Sequence, residues 1–366
     1  MLDLTQSKLA ARVSCTQPTI ARLEAEIVQP SDELMERISQ ALGFPTSWFE
    51  RPPVAHFPLG SLQFRKKAAK SYRQIRKPYL VARTTYEVAE RLRARVRTLP
   101  IRLQHSYGRT PEYAAAMLRS ECGLAPESPI DDIVRSIEKL GVVVLALPLD
   151  VTLTGIDGFS SWTTDGVPVI CLSTLASGDR IRYTAAHELG ELVLGDRPAG
   201  IDRHEAADEF AGVFLLPENA MQREMVSPLS LSSLAKLKIR WRVSIAALIM
   251  RAHRLSIIST RQKRSLFTQL SARGWRLREP ANLDVVQERP RVFRKTVEVL
   301  YGEPIDFARF ARECNLSEIF ARRLVQPHLP RPRIGHGSNE APIELDARRR
   351  VASNAKAPAM REEAAE

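Results

Sequence analysis

The chain has 366 residues, 54 Lys and Arg against 42 Asp and Glu, and a net charge of +12. That length calls for two or three domains rather than one small core. Its 44% hydrophobic and 26% charged content is that of an ordinary globular protein, and no run of about 18 apolar residues offers a membrane span. Cys15, Cys122, Cys171 and Cys314 lie far apart with no C-x-x-C spacing, against a disulfide framework or a thiolate zinc site. The start, MLDLTQSKLA, lacks the layout of a secretory signal, so the expected location is the cytoplasm. The positive excess favours a polyanionic partner without locating it; a basic protein with no nucleic-acid role fits the charge equally well.

In chain order, residues 1–50 read as several short helices. RPPVAHFPLGSL at 51–62 reads as a linker. A basic segment follows, with Arg65, Lys66, Lys67, Lys70, Arg73, Arg76 and Lys77. A long helix is predicted from about Pro78 to Thr98, with Tyr86, Val88, Ala89 and Leu92 on one face. Another, near Ile130 to Leu140, leads into GVVVLALPL, a buried strand. Residues 157–173 read as two strands joined by the Asp165-Gly166 turn. Two helices should follow, one holding His187 and one holding Phe210, then a mostly helical region. In LSLSSLAKLKIRWRVSIAALIMRAHRLSII, at 229–258, two helices flank a turn at Val243–Ser244, with Ser244 as N-cap. This pair is a second DNA or partner contact, or simple packing against the preceding domain. From about Pro327 the composition predicts a disordered tail.

Residues 5–24 read TQSKLAARVSCTQPTIARLE. Leu9, Ala10 and Val13 share a helix face, a sharp turn falls at Ser14–Cys15, and Thr16 is placed to cap a second helix with Pro18 in its first turn. Ile20 and Leu23 then point back at the first helix, the geometry that lays a second helix in the major groove. The segment resembles the XRE (Cro/repressor-like) helix-turn-helix family over residues 4–50, PSDELMERISQALGFPTSWF included. The resemblance implies that Thr16, Gln17, Thr19 and Arg22 face DNA, as a dimer reading a palindrome. That family has a further helix ahead of TQ, whereas four residues precede Thr5 here; either the start is assigned late or the helix is lost. The alternative is a helical module that does not bind DNA.

The sharpest chemistry lies in IRYTAAHELGELVLG, 181–195. On a helix, His187 and Glu191 are one turn apart and project from the same face, within reach of one ion. Glu188 takes the place of the general base of H-E-x-x-H metallopeptidases, although the second histidine is here a glutamate. Alone, such a trio also makes an ordinary solvated face. With DGFSSW, VPVICLS and the downstream DEFAGVFLLP, it resembles the ImmA/IrrE family of metallo-endopeptidases from about Phe64 to Pro217 and, less specifically, on to about Glu288. Aligned on Phe210–Ala211, the family's third-ligand glutamate falls at His204, so histidine and glutamate have traded places. The resemblance thus implies Zn²⁺ held by His187, Glu191 and His204, with Glu188 activating water and Asp208 orienting a ligand imidazole. Glu205 is the alternative third ligand if its helix is rotated. A degenerate, metal-free site kept for regulation is the competing reading. His56, His105, His253, His328 and His336 have no metal-like spacing, and Cys171 reads as a buried, inert thiol.

The expected fold is α+β and mostly helical. A helix-turn-helix domain (1–52) and basic linker (53–78) lead to a zincin-like domain with a small sheet and active-site helix (79–225), a helical extension (226–326) and a tail (327–366). The expected function is a DNA-binding regulator coupled to a zinc metallo-endopeptidase-like domain, governing stress, mobile-element or toxin–antitoxin genes. A repressor or toxin would be its protein partner. The alternatives are an antitoxin-like binder with a dead site, or an endopeptidase that cleaves a partner repressor.

Overall fold

The computed structural model describes residues 4–50, 72–147, 157–195 and 202–329, with backbone alone over 72–77. The expected linker, the side chains of the basic segment at 65–77, the stretch 148–156 and residues beyond 329 therefore lie outside the described residues.

Four short helices open the chain: α1 (Gln6–Arg12), α2 (Gln17–Glu24), α3 (Asp32–Leu42) and α4 (Thr46–Phe49). Thr5 caps α1 and Thr16 caps α2, each accepting from the backbone N–H three residues on, and Pro18 sits in the first turn of α2. Ser14 takes the left-handed conformation at the turn (φ 52°). Ala10, Val13, Ile20, Leu34 and Ile38 close a small core beneath these helices.

Helix α5 (Tyr72–Arg93) starts before Pro78 and ends short of Thr98, which corrects the predicted bounds. Proline removes one backbone donor, but burial of Tyr79, Ala82, Tyr86, Ala89 and Leu92 along one side stabilises the helix through that site. Helix α6 (Pro111–Glu121) was not anticipated; Thr110 caps it and Pro111 opens it. Then come α7 (Ile133–Glu138) and strand β1 (Val143–Leu147). Strands β2 (Gly158–Trp162) and β3 (Pro168–Ser173) follow, joined across the predicted turn with Gly166 at φ 75°. The sheet order is β1-β3-β2, with β3 parallel to β1 and antiparallel to β2.

The sheet divides the interior. Successive strand residues point to opposite faces, so Val144, Ile170 and Leu172 enter one core while Val143, Leu145, Val169 and Cys171 enter the other. On the first face lie α6 and α7, then α8 (Gly178–Leu194), α9 (Arg203–Leu215), α10 (Glu218–Glu224), α11 (Leu231–Trp241), α12 (Ile245–Arg254) and α13 (Thr260–Ala272). On the second lie α5 and the C-terminal helices α14 (Val292–Tyr301), α15 (Phe307–Cys314) and α16 (Glu318–Val325). Phe44, at the end of the N-terminal helices, packs on Phe320 of α16 with ring centres 5.1 Å apart.

Ser244 caps α12 as expected. Pro327 and His328, expected in a disordered tail, are instead buried, and His328 accepts at Nε2 from the Ala146 N–H of β1 (3.0 Å). An imidazole thus occupies the open edge of β1, satisfying a donor that would otherwise be buried without a partner. Among the described residues, no helix is long and apolar enough to cross a membrane.

Candidate metal centre

Helix α8 is buried almost all round, with fifteen of its 17 residues inaccessible. Two devices set its position. Near its C-terminal half, a Cβ on Gly190 would lie 2.8 Å from the Phe210 ring, so the missing side chain lets α8 and α9 approach closely. At its N-terminal half, the segment 279–288 straps it down. Gly178 lies against the Val285 carbonyl, buried Arg182 pairs with Glu288, and Glu288 also accepts from the Ile133 and Val134 N–H groups of α7. Buried Lys238 of α11 completes the clamp, reaching Asp179 at 2.5 Å and Glu279 at 2.8 Å.

This packing brings together the three residues proposed as ligands. One ligand atom each of His187, Glu191 and His204 lies within 4.8 Å of the others. His187 Nε2 is 3.3 Å and His204 Nδ1 is 2.7 Å from Glu191 Oε1. The two imidazoles stand nearly parallel, at 11° and 5.9 Å between centres. His187 is 1% exposed and Glu191 1%, and none of the three converging atoms makes a hydrogen bond of acceptable geometry. The other nitrogen of His187, Nδ1, is 2.8 Å from Asp208 Oδ1, and Tyr183 donates to the Asp208 carbonyl at 3.1 Å. Glu205, the alternative ligand, is exposed and outside this cluster. Glu188 is buried beside His187.

The donor set fits a divalent ion. Atoms bonded to zinc at about 2.0–2.1 Å in a tetrahedral site stand roughly 3.3 Å apart. The His187–Glu191 separation matches that spacing, and His204 needs to retreat by about half an ångström. Buried atoms that converge without hydrogen-bonding one another are what a shared cation resolves. In this ion-free arrangement burial pulls the His187 pKa down, but the adjoining Asp208 and Glu191 carboxylates and the charge of Glu188 outweigh it and raise it to about 9. Cys171, wholly buried on β3, has its thiol pKa pushed up by burial, which makes it inert.

In the N-terminal helices, Thr16, Gln17 and Arg22 are exposed and Thr19 is half-exposed. Gln17 donates to Gln6 Oε1 (2.6 Å), and Gln6 donates in turn to Glu24 (2.8 Å). Gln6 was not singled out in the sequence; it holds the side chain proposed to read a base. Thr16 and Thr19 share a hydrogen bond of 2.8 Å.

Residues 1–49 match the helix-turn-helix family model, and residues 137–253 match that of a peptidase family described as the IrrE N-terminal-like domain. No curated protein matches. A solved structure of a Mycobacterium tuberculosis transcriptional regulator is similar at 19% identity and a TM-score of 0.30, over 49% of this chain and 54% of that one. The chain thus spans about half the length of that regulator. Two domains are established: this chain carries an XRE-type helix-turn-helix at its N-terminal end and an IrrE N-terminal-like peptidase domain from 137 to 253.

Proposed function

We propose that this protein is a DNA-binding transcriptional regulator whose IrrE-like domain is a zinc metallo-endopeptidase, its ion held by His187, Glu191 and His204. The observation that carries the reading is the convergence of three buried ligand atoms from two helices. Two imidazoles and one carboxylate form the donor set of a common class of catalytic zinc site. Here α8 supplies His187 and Glu191, and α9 supplies the second histidine. An ion so held supplies Lewis acidity toward a peptide carbonyl and toward water. With an ion bound, Asp208 would accept from His187 Nδ1–H and so leave the Nε2 lone pair for the ion. Glu188 is the general base, taking the proton of the attacking water and passing it to the leaving amine. Thr16, Gln17, Thr19 and Arg22 contact an operator, with Gln17 suited to adenine and the hydroxyls to phosphate or base. A homodimer on a palindrome and a repressor or toxin as protein partner complete the proposal.

Metal analysis of the full chain after exposure to zinc tests the centre. One ion per chain is expected, and His204→Ala should lose it while keeping the native circular-dichroism spectrum. Unchanged stoichiometry and affinity in that variant exclude the exchanged ligand set. Glu188→Gln should keep the ion and lose peptide-bond cleavage. On the DNA side, Gln17→Ala with Arg22→Ala should cost about 1–3 kcal/mol of operator discrimination for each base-reading side chain removed.

A further inference from the structure

The charge of this chain is unevenly placed. Residues 225–278, the span of α11 to α13, contain twelve Lys and Arg and no Asp or Glu. Removing those twelve from the chain's 54 leaves 42, equal to its 42 acidic side chains. The rest of the chain is neutral in sum, although residues 65–77 are also basic, with seven Lys and Arg and no Asp or Glu.

The twelve divide by environment. Four serve the fold. Lys238 is buried between Asp179 and Glu279, Arg251 donates to the Leu216 carbonyl, Arg240 pairs with Glu224, and Arg242 donates to the Asp131 carbonyl. Of the other eight, Arg254 is exposed and Lys263 is half-buried beside His253, while Lys236, Arg261, Arg264, Arg273, Arg276 and Arg278 are exposed and form no ion pair with a described acidic side chain. On α13 the buried positions are Leu266 and Leu270, which leaves Arg261 and Arg264 on the outer side. Beyond the helix, Arg273 and Arg276 lie over the rings of Trp275 and Phe267, which hold them without neutralising them. A concentration of like charge costs self-repulsion unless a polyanion relieves it.

Local backbone geometry narrows the partner. The turn between α11 and α12 repeats the turn between α1 and α2. Arg242 (φ 55°) corresponds to Ser14 (φ 52°), Val243 to Cys15, and the capping Ser244 to the capping Thr16. In the N-terminal pair the next positions carry Gln17 and Thr19, which offer hydrogen bonds. In α12 they carry Ile245, fully buried, and Ala247. The second pair shares that turn and carries none of the base-reading side chains. Cations without base readers confer affinity for the backbone and no sequence preference.

We propose that α11–α13 form a second, sequence-independent contact to duplex DNA, gripping phosphates separately from the operator contact of the N-terminal helices. The inference rests on the reading that this protein works on DNA and is independent of the metal centre. The test uses the full-length chain and a duplex of arbitrary sequence, with affinity followed by fluorescence anisotropy across a salt series. Each phosphate that the protein no longer neutralises flattens the slope of log K against log salt by about 0.9. Changing Lys236, Arg261, Arg264 and Arg273 together to Gln should therefore flatten the slope by two or more, with the thermal midpoint preserved. Gln17→Ala with Arg22→Ala should leave most of the arbitrary-duplex slope in place. As a readout that needs no variant, duplex DNA should shield Arg261, Arg264 and Arg276 of the native chain from dicarbonyl modification, scored by mass spectrometry. A native slope in the quadruple variant, or unshielded arginines, overturns this inference alone. So does preference for RNA or for anionic phospholipid vesicles over the duplex. A chain that binds no duplex at all overturns this inference and the DNA-reading proposal together.

Discussion

Asp208 stands one turn after His204 on α9, yet its carboxylate meets His187 on the neighbouring helix. A carboxylate at such a position ordinarily serves its own helix. The crossing works because Gly190 lets α9 come close. Asp208→Ala is therefore expected to weaken zinc affinity about 10–100-fold, measured by chelator competition, without removing any ligand. Residue spacing alone exposed His187 and Glu191, since one helical turn separates them. It left His204 and Glu205 undecided, because adjacent residues point about 100° apart and the phase of α9 depends on its packing. Tyr183 and Gln6 act through hydrogen bonds that no pattern announces. His328 gives a pH prediction. Burial lowers its pKa to about 3, so the folded state keeps it neutral while the unfolded chain takes a proton below about 6.5. Its contribution is thus complete above pH 6.5 and is lost as pH falls toward 3, by at most about 1.4 kcal/mol per unit. Glu138, raised by burial to about 7, acts in the opposite sense between its unfolded value and 7. The His328 effect is accordingly read as the difference in urea midpoint between the native chain and His328→Gln across pH 4–7. A pH-independent difference would refute it.

Among the elements, α8 shows why local sequence is an incomplete guide. A helix buried on every side has no polar stripe, so its motif rather than its periodicity reveals it. Its neighbours are held by charges that sequence cannot pair, such as Arg182 with Glu288, more than a hundred residues apart. Glu288→Ala should cost about 3–5 kcal/mol in chemical denaturation, because it strands a buried guanidinium and uncaps α7. Gly190→Ala should cost about 1–3 kcal/mol through overpacking against Phe210, and should weaken metal binding as α9 is displaced. The hairpin of β2 and β3 was legible from its Asp-Gly turn, whereas α6 was missed although Thr110 and Pro111 mark its start. The extent of α5 escaped for the opposite reason: a proline that usually delimits a helix was overridden by a buried face.

For the whole molecule, α11–α13 and the C-terminal helices could be read as helical but not placed. The two-sided core depends on β3, whose alternate residues serve different layers. The N-terminal helices join the layer that does not contain α8, through Phe44 against Phe320. Phe320→Ala should lower stability by about 3–5 kcal/mol, the range for emptying an aromatic site. It should also raise hydrogen exchange in α3 and α4 while leaving α8 protected; equal loosening of both would argue against separate layers. The three strands act as a party wall between two separately packed compartments. Off the strands, Glu138 of α7 accepts from the Arg291 and Val292 N–H groups at the head of α14, so one buried carboxylate stitches the two compartments along their rim.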